Sequence, residues 1–174
     1  VPRDAGPLLD IGCGSGNFAV RMQALGVSAT GQDSFLEAGS QARDRGIDVF
    51  IGPLEDMAAE RRGQFQCVTA WHVVEHVPDA RSFLGAVYDL LDVDGTFVME
   101  VPNVDSWERH CLGVAWWAWM PPLHLHHFSP ATLCKLLTRA GFTINRVETF
   151  GSFVDESLPG LPEILRKFLA KCSA

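Results

Sequence analysis

Five cysteines stand at positions 13, 67, 111, 134 and 172, and no two of them have C-x-x-C spacing. An odd, scattered set of this kind excludes a disulfide framework and a zinc knuckle, and a reducing, cytoplasmic setting is expected. Positive charge is also scarce: 14 Lys and Arg face 21 Asp and Glu, for a formal net charge of −7. With no basic stripe, a nucleic-acid partner is not expected. Long hydrophobic runs are missing too. The longest, 112–123, contains Gly113 and ends in Pro121-Pro122, too short to span a bilayer. The N-terminus lacks a charged start followed by an apolar run, so no secretory signal is expected. Only seven residues precede Leu8, and we expect further residues upstream of Val1. There is no internal repeat and no low-complexity segment.

What is present is a chain of 174 residues, 47% hydrophobic and 20% charged, a composition and size suited to one domain with its own core. We take 1–174 as that domain, with 7–150 as core and 151–174 as a helical C-terminal tail. Short apolar runs predict strands at 8–11, 27–32, 47–51, 65–71, 96–101 and 142–147. Helical spacing of Phe18, Met22 and Leu25, stopped by Gly26, predicts a first helix over 16–25. Ser34 and Glu37 have capping-box spacing, which starts a second helix directly after Asp33. A short helix is expected over 54–61. Asp79 caps the next, with Ala80, Phe83, Leu84, Val87 and Leu91 as its apolar face, and Asp94-Gly95 turns the chain into the fifth strand. Residues 102–127 read as irregular and aromatic. Ser129 caps a helix with Pro130 at its first position, Phe128 and Leu133 have staple spacing, and Gly141 ends it. The tail predicts a helix over 161–169, and Phe153-Val154 is the one weak candidate for a seventh strand. Strands alternating with helices imply a three-layer α/β/α sandwich on a mostly parallel sheet, its final strand missing.

The segment Asp10-Ile11-Gly12-Cys13-Gly14-Ser15-Gly16 joins the first strand to the first helix. Glycines there let backbone approach a ligand closely, with a helix N-terminus aimed at it. The dinucleotide fingerprint G-x-G-x-x-G fails, because Asn17 holds the third position, and no Gly-Lys-Ser/Thr follows for a P-loop. The pattern is D-x-G-x-G-x-G, with Asp33 ending the second strand. It resembles the class I S-adenosylmethionine (SAM) dependent methyltransferases. Gly31-Gln32-Asp33 is similar to the family's acidic residue after strand two, and 52–56 to its loop after strand three. His72-Val73-Val74-Glu75-His76-Val77-Pro78-Asp79 resembles the segment after strand four in the ubiquinone-type small-molecule branch. Asp94-Gly95-Thr96 and 124–130 match in order, so the resemblance covers roughly residues 7–150.

The resemblance implies a Rossmann-like methyltransferase sheet, SAM as cofactor and a small-molecule acceptor. It implies that Asp33 accepts hydrogen bonds from the ribose diol, a task suited to a carboxylate. Backbone at Gly12, Cys13 and Gly14 would meet the methionine end, which Asp10 helps to position. Leu54 and Glu55 would flank the adenine, although Pro53 stands where many members have an acidic residue. Trp71 and His72 would line the methionine side, with plain core packing the alternative for Trp71.

His72, Glu75 and His76 spell H-x-x-E-H, an inverted zinc-protease motif. Pro78 and Asp79 place the helix after this stretch, which argues against that reading. No metal is expected; Glu75 and His76 orient the loop, with a divalent ion at that pair the alternative. His124, His126 and His127 follow the fifth strand, the substrate side of such a fold. His126 or His127 is the candidate catalytic base, with helix entry the structural alternative. Trp116-Trp117-Ala118-Trp119-Met120 is either a lid over an apolar acceptor or a contact with another subunit or a missing segment. The function expected is methyl transfer to a small molecule, oxygen first, then carbon or nitrogen. The rivals are a non-catalytic SAM-binding module and, further off, a nicotinamide oxidoreductase.

Overall fold

The computed structural model describes residues 6–149. Its sheet holds five parallel strands: β1 (Leu8–Ile11), β2 (Ala29–Asp33), β3 (Asp48–Ile51), β4 (Phe65–Trp71) and β5 (Leu91–Glu100). Their order is β3-β2-β1-β4-β5. Helices α1 (Asn17–Ala24), α2 (Leu36–Asp44), α3 (Leu54–Glu60) and α4 (Ala80–Leu90) make the crossovers, and α5 (Trp107–Leu112) and α6 (Pro130–Arg139) follow β5. Order reverses between β1 and β4, so the crevice at their carboxyl ends is the topological switch point, where open α/β sheets bind ligands.

Successive strand residues point to opposite faces, and both faces of this sheet are covered. Leu8 and Cys67 pack with Ala19, Val27, Ala42 and Val49 on one side. Leu9, Ile11, Val68 and Ala70 pack with Met57, Leu84 and Val87 on the other. Burial on both faces is why β1, all four residues buried and Asp10 its one polar member, does not alternate apolar with exposed polar residues.

The helix starts follow local chemistry. Asp79 Oδ1 accepts the backbone N–H of Arg81 at 2.9 Å and of Ser82 at 3.1 Å. Ser129 and Thr132 form a reciprocal capping box, with Pro130 in the first turn of α6. Phe128 is buried and Leu133 packs on the same core as expected of a staple. Gly26 takes φ +85° just past α1, the left-handed stop its position predicts.

Four expectations are corrected. Ser34 does not cap α2; Phe35 is the N-cap and the helix starts at Leu36, because Asp33 takes the Phe35 N–H instead, at 2.9 Å. Strand β5 begins at Leu91, which pairs with Phe65 and so does not belong to the face of α4. The ladder then breaks at Asp94, φ +64°, and resumes where Thr96 pairs with Cys67. Residues 107–112, expected as irregular, form α5, because Ser106 Oγ accepts the Arg109 N–H at 3.2 Å. Residues 142–147 form no strand. They pair with no sheet edge among the described residues; Phe142 instead packs its ring 5.6 Å from Tyr88 and 5.7 Å from Phe97. The expected helix over 161–169 and the strand candidate Phe153-Val154 lie outside the described residues.

Packing and exposure separate two leucines of similar sequence appearance. Leu84→Ala, at a site with no exposure, is expected to cost about 2–5 kcal/mol in urea unfolding. Leu25→Ala, 60% exposed, is expected to shift stability by less than about 0.5 kcal/mol.

Candidate functional site

The glycine loop lies at the carboxyl end of β1. Gly12, Gly14 and Gly16 take φ of +63°, +54° and +78°, a region that side chains disfavour. A Cβ on Gly12 would stand 2.7 Å from Val73 Cγ2, whereas one on Gly14 would meet nothing within 4 Å. The first glycine is therefore required by packing against the turn after β4. The second opens onto free space and leaves its backbone accessible. Gly16 is the N-cap of α1 without a side-chain cap, so the first N–H groups of the helix face the loop unpaired. Arg45 braces the far side: its Nη1 donates to the Ser15 carbonyl at 2.7 Å and to Asn17 Oδ1 at 2.6 Å.

Asp33, the last residue of β2, is 6% exposed. Its Oδ2 accepts the Gly14 N–H at 2.9 Å while Oδ1 accepts the Phe35 N–H. Each oxygen retains an acceptor site. Gln32 Nε2 donates to the Gly52 carbonyl at 2.7 Å, and the Gly52 N–H donates to the Asp33 carbonyl at 3.0 Å. The ends of β2 and β3 are thereby locked together. Phe35, 75% exposed, sits two residues beyond Asp33 as an open apolar surface that sequence reasoning passed over. Leu54, the first residue of α3, is buried in the core, and Glu55 beside it is exposed.

Asp10 faces Thr69 directly across the β1–β4 ladder. Thr69 Oγ1 donates to Asp10 Oδ1 at 2.8 Å. Burial raises the carboxyl from 3.8 to about 6, against the lowering effect of that hydrogen bond. Cys13 is buried, and burial first, then the charges of Asp10 and Asp33, push its thiol up to about 12. It stays a neutral thiol near pH 7 and is no nucleophile. Two carboxylates beside the uncapped N-terminus of α1 suit a ligand carrying both a carboxylate and positive charge, as the amino-acid end and sulfonium of SAM do. The open space at Gly14 and the free acceptor sites of Asp33 fit that group.

At the end of β4, Trp71 packs edge-on against Phe18 at 5.2 Å. Its Nε1 is buried without a partner among the described residues. His72 takes φ +55° and lies between two carboxylates, with Nδ1 3.3 Å from Glu75 Oε1 and Nε2 3.1 Å from Glu100 Oε1. The hydrogen bond to Glu75 leads in raising its pKa above 6.5. Residues Val74–His76 form a single 3-10 turn, so His72 and His76 do not share a helix face as the protease motif requires.

The Glu75 backbone carbonyl accepts the N–H groups of Leu125 at 2.7 Å and His126 at 3.2 Å. This turn thus holds the segment after β5. His76 Nδ1 meets the Leu123 carbonyl at 3.0 Å, and His124 Nδ1 the Ala118 carbonyl at 2.7 Å. His126 and His127 use Nε2 instead, toward the carbonyls of Val77 at 2.9 Å and Trp119 at 3.2 Å. The last two line a cavity of about 410 Å³ with Pro78, Asp79, Arg81 and Phe128. Its lining includes none of the glycine-loop residues, Asp33 or Trp71. Within the aromatic segment Trp116 and Ala118 are buried while Trp117 is 48% and Met120 40% exposed. Trp119 stacks edge-on with Trp116 at 5.4 Å and donates Nε1–H to the Gly113 carbonyl at 2.8 Å.

The raised carboxyl of Asp10 has a stability consequence. Below its unfolded pKa near 3.8 the group is neutral in both states. Between about 3.8 and about 6 the unfolded chain gives up the proton while the folded protein keeps it, so stability falls across that window and levels off above it. Replacing it by Asn removes that loss. We expect Asp10→Asn to match the wild-type pH trend below about pH 4 and to gain on the order of 1–3 kcal/mol by pH 7.5, read as the difference between the two proteins in urea unfolding across pH.

Comparison with known proteins shows the family. A family model described as a methyltransferase domain matches residues 2–147. A ubiquinone biosynthesis O-methyltransferase of Xanthomonas axonopodis pv. citri (strain 306) is 31% identical over 152 residues, which covers 80% of this chain. The chain spans 64% of the length of that relative. The solved structure of a SAM dependent methyltransferase from Archaeoglobus fulgidus superposes with TM-score 0.69 at 20% identity, covering 98% of this chain and 79% of that one. One from Mesorhizobium loti gives 0.68 at 22%, covering 86% and 80%. At these identities the solved structures speak for the fold alone. Among the described residues no helix is long and apolar enough to cross a membrane. With its five-stranded parallel sheet, its glycine loop at the switch point and a family model matching most of its length, the chain belongs to the class I SAM-dependent methyltransferases, on a Rossmann-like α/β fold.

Proposed function

We propose that this domain transfers the methyl group of SAM to a small-molecule acceptor, with oxygen as the acceptor atom. The observation that carries this reading is Asp33, a buried carboxylate already oriented by Gly14 and Phe35 N–H groups, with acceptor capacity left for a ribose diol. The O-methyltransferase found among the relatives supports oxygen over carbon or nitrogen. When bound, SAM supplies a methyl already activated by the sulfonium. The protein then has to align the acceptor in line with it, exclude water and remove a proton.

Each task has a candidate group. Gly12, Cys13 and Gly14 present backbone to the methionine end, and Asp10 positions its ammonium. Leu54 and Glu55 flank the adenine from the start of α3. Trp71 offers an unpartnered Nε1–H and, with His72, walls the methionine side. The proton goes to His126 or His127. Each donates Nε2–H to a backbone carbonyl, which leaves Nδ1 as the unprotonated acceptor of the neutral ring. The cavity beside them is within the usual range of roughly 300–1,000 Å³ for a small ligand. Trp117 and Met120, exposed beside the buried Trp116, supply the apolar surface for a lid over an aromatic acceptor, or for a contact with another subunit or segment.

Incubation with SAM and a panel of hydroxylated aromatic compounds, followed by mass spectrometry, is expected to yield an O-methylated product. Asp33→Ala is expected to weaken SAM binding by about 10–100-fold in calorimetry, the loss of charged hydrogen bonds. The His126→Ala, His127→Ala double variant is expected to lower kcat by about 100-fold or more, with SAM affinity unchanged. Tight SAM binding without turnover on any acceptor class would instead assign a SAM-binding module.

A further inference from the structure

One corner of the segment after β5 holds hydrogen-bond donors without acceptors. Arg109 of α5 is half-buried, and its Nε is buried with no partner among the described residues. No ion pair among the described residues includes it. Its guanidinium lies 6.0 Å from the centre of the Trp119 ring. Trp116, 3% exposed, meets the same ring edge-on at 5.4 Å, and its Nε1–H is also buried with no partner among the described residues. An indole N–H only donates, and that of Trp119 already goes to the Gly113 carbonyl. We infer that this corner is an anion subsite for the methyl acceptor, which is a hydroxylated aromatic compound carrying a carboxylate. The inference rests on the methyl-transfer reading and names the substrate class within it.

Three observations carry it. The first is the missing partner. A donor withdrawn from water without an acceptor is costly, and more so when charged. Arg61, the other half-buried arginine among the described residues, has its carboxylate in Asp48 at 3.3 Å. Arg109 has no counterpart to that carboxylate, and an anionic ligand supplies one. Trp116 adds an uncompensated N–H dipole to the same corner.

The second is presentation. Ser106 Oγ accepts the Arg109 backbone N–H at 3.2 Å, and the Trp119 ring flanks the guanidinium. A guanidinium set beside an indole keeps its planar edge for a bidentate carboxylate. Arg109 and Trp119 are both half-buried, so the charged end is reached from solvent. The third is position. The Trp119 ring also stands 4.8 Å from the His127 ring, the candidate base. An acid gripped at Arg109 therefore lies on the segment that would take the acceptor's proton. Exposed Trp117 and Met120 on that segment offer surface for an aromatic body. A monoanion suits a chain of net charge −7 better than a phosphate dianion does.

The test uses the full chain saturated with S-adenosylhomocysteine. Calorimetry compares 4-hydroxyphenylacetate and 4-hydroxycinnamate with their amides, which keep the shape and lose the charge, and with 4-hydroxyphenyl phosphate. At least one acid is expected to bind about tenfold or more tightly than its amide. Arg109→Gln should weaken that acid by about 10–100-fold and leave the amide within about threefold, with circular dichroism unchanged. Arg109→Lys should recover part of the loss, because it keeps the charge without the fork. The wild-type comparison of acid with amide stands even if a variant folds poorly. Equal binding of acid and amide, no binding of either acid, or tighter binding of the phosphate overturns the assignment. Turnover with SAM separates the two readings. Methylation without preference for the acids overturns the subsite alone. Binding of an acid through Arg109 with no methylation of any acceptor overturns the methyl-transfer reading and supports an anion site.

Discussion

The Asp33 carboxylate is the joint on which this site depends. One oxygen holds Gly14 and the other holds Phe35, so a single side chain sets both the shape of the loop after β1 and the start of α2. It does so from the end of a strand whose backbone is locked to β3 through Gly52. A buried carboxylate with two backbone N–H partners is held in one orientation. The crevice between β1 and β4 thus has a preorganised anionic wall, and ligand binding need not order it.

A second joint, the 3-10 turn after β4, works on the other side of the crevice. Val73 fills the space that a side chain on Gly12 would take, and the Glu75 carbonyl anchors the chain at Leu125 and His126. The turn therefore couples the glycine loop to the segment that carries the histidines and tryptophans. His72 holds its place there with a left-handed backbone, φ +55°. The short chain of contacts from Gly12 through Val73 and Glu75 to His126 gives the two halves of the site a common frame.

Much of this was legible in residues alone. Strand β1 and strand β4 were bounded correctly because buried parallel strands leave dense apolar runs. The stops at Gly26 and Gly141 and the caps at Asp79 and Ser129 were readable because each is a local device. The glycine spacing and Asp33 pointed to the cofactor class for the same reason. The failures share one origin. Ser34 had the spacing of a cap, but Asp33 competed for the same end of the helix and won. Residues 142–147 had strand-like composition, but a strand exists only where a neighbour offers its ladder. The helix α5 depends on a single serine cap inside a stretch with no periodic apolar face.

Sequence by itself determined the alternation of strands and helices, the glycine loop, and the identity of the groups that could do chemistry. These rest on propensity, capping and spacing, which act over a few residues. Tertiary structure alone decided which of those groups meet. Thr69 lies 59 residues from Asp10, and His124 stands 48 positions after His76 along the chain. No local pattern records such pairings, because they arise from parallel crossovers and from a loop folding back onto the end of β4. Tertiary burial also decided the protonation of Asp10 and Cys13, since their pKa values follow from the water and charge that the fold removes or brings near.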